Sequence, residues 1–186
     1  MIKNQCLIPL LIVCSLLLLP SCTKIETIPC NECLQLPSQT ETGEGTMGCL
    51  VDGGVWLLSG TMADGIGFRV PHRLEVNHFD DYVSVSGLMT RNCEGEEIIT
   101  QNLDFSITNL LDTGVYIIDE EMMVELEYDD WNEFGHYTAV SGFIKLNTYD
   151  LQDSIISGIF DCTLIHSIEP QDTIRITQGR FDGRII

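Results

Sequence analysis

Cys30-Asn31-Glu32-Cys33 is the tightest chemical motif of this 186-residue chain, with the spacing of redox or metal-binding thiols. It falls in a polar stretch without helix or βαβ context, and the second thiol pair that zinc sites usually need is missing. A local disulfide between Cys30 and Cys33, or a pair of idle thiols, is the favoured reading. His72, His78, His136 and His166 are scattered over separate segments, and none stands in a zinc-protease pair. No Gly-x-Ser-x-Gly elbow, phosphate-binding loop or dinucleotide fingerprint occurs, which argues against acyl-transfer and nucleotide chemistry. Asp and Glu total 28, so some pair will meet the 5–10 Å that glycoside hydrolysis needs by abundance alone. No catalytic residue, metal or cofactor is therefore assigned, and an enzyme is not expected.

One loop offers recognition chemistry instead. Asp129-Asp130-Trp131-Asn132-Glu133 sets an indole between polar groups, an arrangement that stacks on a sugar or peptide. Asp129, Asp130 and Trp131 are the ligand-binding candidates, against the blander reading in which Trp131 folds back to cap the core. Just before them, Met122, Val124, Leu126 and Tyr128 alternate with Glu121, Met123, Glu125, Glu127 and Asp129. The acidic row has the oxygen donors for Ca²⁺, yet the loop pattern of a calcium site is missing, and a solvated strand face is favoured.

These residues need strands to place them. From Met47 onward, short runs rich in Val, Ile, Thr, Tyr and Phe are separated by Gly, Asn and Asp clusters, the signature of an antiparallel all-β domain. Hairpins are expected around Asp52-Gly53-Gly54 and Asp80-Asp81, a long strand over 97–108, and a turn at Asp112-Thr113-Gly114 leading into a strand over 115–118. No stretch sustains helical periodicity over 11 or more positions. Ile156-Ser157-Gly158-Ile159-Phe160-Asp161 is echoed by Thr177-Gln178-Gly179-Arg180-Phe181-Asp182. Folded as a hairpin turning at Glu169-Pro170, the echo sets Phe181 across from Gly158 and Phe160 across from Gly179, rings covering glycines where a sheet curls. The same register would set Leu164 against Arg175, which suggests a bulge. The fold class expected is all-β: an antiparallel β-sandwich, or a curled, partly closed β-barrel built from consecutive hairpins.

The N-terminal end has a different texture. Lys3 precedes an apolar run from Leu7 to Leu19, too short as a helix for the roughly 30 Å hydrocarbon core. It reads as a cleaved signal. Leu19-Pro20-Ser21-Cys22 resembles the bacterial lipobox, which implies a diacylglyceryl group on the Cys22 sulfur and a membrane anchor there, with Pro20 departing from the usual pattern. Residues 1–21 are then the signal peptide and 22–44, carrying Pro29, Pro37 and many Thr, Ser, Gln and Glu, a flexible tether. Residues 45–186 form a single β domain. Beyond the leader and Cys22, five cysteines remain, Cys30, Cys33, Cys49, Cys93 and Cys162, an odd number that cannot all pair within one chain. Nine Lys and Arg against 28 acids give a formal charge of −19, so nucleic acid is excluded as a partner.

The run Gly43-Glu44-Gly45-Thr46-Met47-Gly48-Cys49-Leu50-Val51-Asp52-Gly53 with Val55-Trp56, then 155–160, then 176–182, resembles a group of small Bacteroidetes-type cell-envelope lipoproteins. The likeness implies a location in the bacterial envelope, at the outer membrane with its facing left open, and an all-β domain. It carries no activity. The function expected is a non-catalytic envelope module, structural or binding a glycan, peptide or protein; the alternative is a lipocalin-like carrier holding an apolar ligand in its barrel.

Overall fold

The computed structural model describes residues 34–59, 61–63, 69–91, 99–119, 124–130 and 135–186. Strands β1 (Thr46–Val51) and β2 (Gly54–Leu57) form the first hairpin, and β3 (Thr61–Ala63) pairs only with β4 (Arg69–Pro71). Next come β5 (Glu75–Phe79), β6 (Tyr82–Arg91), β7 (Ile99–Ile107), β8 (Gly114–Ile118) and β9 (Val124–Asp130). The chain ends in three long strands, β10 (Gly135–Asp150), β11 (Ile155–His166) and β12 (Thr173–Arg184). Among the described residues there is no helix.

Local chemistry sets the turns. Asp52 and Gly53 have φ of +48° and +84°, the doubly left-handed pair that a tight hairpin requires, and Asp80 at +52° opens the β5–β6 turn. Between β10 and β11, the Asp150 carboxylate accepts from the Gln152 and Asp153 amides at 2.8 and 3.1 Å. At the β11–β12 turn, the Asp172 amide donates to the Glu169 carbonyl at 2.8 Å.

All strands but β3 and β4 join one antiparallel sheet in the order β2-β1-β12-β11-β10-β9-β7-β6-β5, with β8 beside β9 on the same edge of β10. The sheet curls until its ends approach. Ser59, just past β2, bridges β6 in parallel, its amide 3.3 Å from the Leu88 carbonyl and its carbonyl 2.9 Å from the Thr90 amide. At the other lip the Ile186 amide donates to the Val76 carbonyl on β5 at 3.0 Å. The result is a curled half-barrel, within the expected fold class.

Gly158 faces Phe181 and Gly179 faces Phe160, as the echo implied. A Cβ on Gly179 would lie 2.5 Å from the Phe160 ring, and one on Gly158 would lie 2.9 Å from Phe181. Only glycine lets both rings lie flat on the bent strands. The expected bulge lies between Phe160 and Cys162; past it Leu164 pairs with Ile174, and Arg175 pairs with Thr163. Inside the curl Phe105 packs edge-on to Phe181 at 4.9 Å and tilted to Phe160 at 5.9 Å. Trp56 is buried in this core, 1% exposed.

Candidate functional site

Strand alternation and register gather one polar face on the outside of β6, β7, β9 and β10. Ser86, Asp104, Glu127 and Thr138 lie in one cross-strand row, and Asn102, Asp129 and His136 in the next. Directly opposed residues have Cβ atoms only ~5 Å apart, so Asp104 and Glu127 are immediate neighbours. A groove of about 210 Å³ runs beside them, lined by Tyr82, Ser84, Ser86, Asp104, Ser106 and Glu127.

The electrostatics of this face follow from crowding. Burial pushes the Asp104 carboxyl up; the charges of Asp129 and Glu127 add to it, while hydrogen bonds from Ser86 and Asn102 offset part of the rise. His136 moves up as well. Its Nδ1 meets Asp129 Oδ1 at 2.6 Å and its Nε2 lies 3.8 Å from Glu127 Oε1, and the Asp129 hydrogen bond outweighs the opposing effect of desolvation. The His136 ring thus lies between two carboxylates that favour its protonated form, and the groove beside it offers acceptors to a ligand bearing hydroxyl or amine donors.

Of the sequence candidates, Asp129 joins this face. Asp130 turns to the other side of the same strand, level with buried Tyr128, where it accepts from Gln101 Nε2 at 2.7 Å. Adjacent positions on a strand cannot share a face. Trp131, Cys22, Cys30, Cys33 and Cys93 lie outside the described residues. The other histidines stay apart, His72 on Thr90 at 3.0 Å, His78 on Tyr149 at 2.8 Å, and His166 accepting backbone amides in its own turn. Among the described residues no group of three or more His, Cys, Asp or Glu could hold a metal ion. Cys49 and Cys162 are buried free thiols. Burial raises both, Cys162 to about 12 with the Asp161 charge adding to the shift.

A second constellation was not among the sequence candidates. Residues 34–44, placed by the sequence in the tether, run onto the outside of β12 as a strap. Arg180, Asp182 and Arg184 alternate on that strand and grip it. Asp182, 1% exposed, accepts from Thr40 Oγ1 at 2.7 Å and from the backbone amides of Gly43 at 2.7 Å, Thr42 at 3.1 Å and Glu44 at 3.2 Å. Arg180 Nη1 donates to the Pro37 carbonyl at 3.1 Å, and Arg184 Nη2 to the Thr42 carbonyl at 3.3 Å. Burial works against the Asp182 charge, but the Thr40 hydroxyl and the Gly43, Glu44 and Thr42 amides outweigh it and hold the carboxyl below its ordinary range. The recurring Phe-Asp of the echo was the only trace of this clamp, and the rings alone accounted for it.

Comparisons with protein-family models, curated proteins and solved structures find no match to this chain.

Proposed function

We propose that the chain is a lipid-anchored protein of the bacterial cell envelope, of the Bacteroidetes-type group named above, whose half-barrel is a non-catalytic module that binds a glycan, peptide or protein. The observation that carries this reading is the apolar leader that stops at Ser21-Cys22. Phe105, Phe160 and Phe181 packed inside the curl support a filled module over a hollow carrier. Mass spectrometry of native membranes tests the anchor. An N-terminal peptide beginning at an acylated Cys22 is expected, and an unmodified Cys22 or an uncleaved leader defeats the reading.

A further inference from the structure

Beside the strap, on the outer face of β10, β11 and β12, lies a cleft of about 370 Å³, distinct from the acidic face. That volume is within the roughly 300–1,000 Å³ of small-molecule sites. Phe143 and Ile159, half-buried and outward by alternation, form an apolar floor. Around them stand Gln39 of the strap, Asp161, Gln178 and Arg180. Phe143 is the register partner of Asp161, so ring and carboxylate are neighbours.

The rim is built by backbone irregularity. The register slips between Phe160 and Cys162, at Asp161, and Gln178 has φ of +53°, a left-handed conformation that suits glycine better than glutamine. Bulges of this kind re-aim side chains, and backbone strain is retained where surrounding structure enforces it, commonly at binding sites. Arg180 is fixed in place, with Nε on the Gln178 carbonyl at 3.3 Å and Nη1 on Pro37. Its guanidinium has five N–H donors, so others remain for a ligand. Arg175 Nη2 lies 3.8 Å from Asp161 Oδ1 at the rim and offsets part of its charge.

An apolar ring edged by amides, a carboxylate and a guanidinium matches a ligand with a C–H face and a hydroxyl edge. The chain's charge of −19 disfavours an anionic one. A second depression of about 570 Å³ also borders Gln39 and reaches Lys145 and Asn147, room for further units of a polymer. We propose that this cleft binds a neutral oligosaccharide, one pyranose stacked on Phe143 with its hydroxyls on Gln39, Asp161, Gln178 and Arg180. The proposal gives a ligand class to the binding module inferred above; it rests on that role and not on the anchor.

The test applies the full chain to an array of neutral and acidic oligosaccharides and titrates the best neutral binder calorimetrically. Phe143→Ala should weaken that binder at least tenfold, and Phe143→Tyr should hold it within threefold. Gln178→Gly is the decisive variant: it removes an amide and relieves the backbone, so affinity should fall severalfold while the thermal midpoint holds or rises. Glu75→Gln, at an exposed position of β5 that borders none of these grooves, should leave binding unchanged. No retained neutral glycan, preference for acidic ones, or affinity indifferent to Phe143→Ala and Gln178→Gly overturns the proposal. Acylation of Cys22 is read separately by mass, so loss of the anchor reading and loss of the glycan site give different results.

Discussion

Asp182→Asn is the substitution that tests the clamp. The carboxylate meets four donors, three of them backbone amides. An asparagine of the same size keeps one acceptor oxygen and turns an NH₂ toward donors it cannot satisfy. Hydrogen bonds to a charged group contribute about 1.5–3 kcal/mol each when deleted singly, but a lifted strap regains water, so the net loss expected is about 2–3 kcal/mol. For a chain of this size that lowers the thermal midpoint by about 5–10 °C. Urea unfolding measures the global effect, and hydrogen exchange resolves its place, with the Thr42, Gly43, Glu44 and Gly45 amides losing protection first. The pH dependence has a definite sign. Because the folded carboxyl lies below its ordinary 3.8, the clamp's contribution is complete above pH 3.8 and is lost as pH falls through the lower folded value. Unchanged exchange at Thr42, Gly43 and Glu44 in the variant refutes the reasoning.

Three further outcomes follow from the same geometry. Gly179→Ala should destabilise the domain by about 1–3 kcal/mol, since the new methyl meets the buried Phe160 ring, and Phe160→Leu in the same chain should recover part of that loss by urea titration. Asp129→Asn should bring the His136 titration, followed by NMR, down toward 6.5; in the parent chain the pair's stabilisation is present below pH 6.5 and fades as pH rises through the raised folded value, and an identical titration curve in the variant contradicts the assignment. Cys49 and Cys162 should resist an aromatic disulfide reagent at pH 8 until urea unfolds the domain, so rapid labelling of either in the native protein would count against the packed interior described for them.

What the sequence made legible was local or self-complementary. Asp52-Gly53 announces its turn because few residues tolerate two left-handed angles in succession, and the Gly158–Phe181 register could be read because a bare glycine and a ring answer each other across a hairpin. The acid-bearing side of β9 was visible from its alternation, which put Glu127 and Asp129 on one face. That Asp104 would arrive from β7 and His136 from β10 depends on strand neighbours distant in the chain, for which alternation carries no information. The strap escaped for a different reason. Its grip joins Asp182 to residues 138–142 positions earlier, mostly through backbone amides, and a backbone amide has no side-chain type to betray its partner.

The ladder of Arg180, Asp182 and Arg184 also decides how the molecule answers a pull. Tension entering from residue 34 reaches those three side chains before it reaches any hydrogen bond between strands. They can let go while β1 stays paired with β12, so slack is released ahead of any damage to the sheet. Three alternating residues thus give the domain a shock absorber at the N-terminal edge of its sheet.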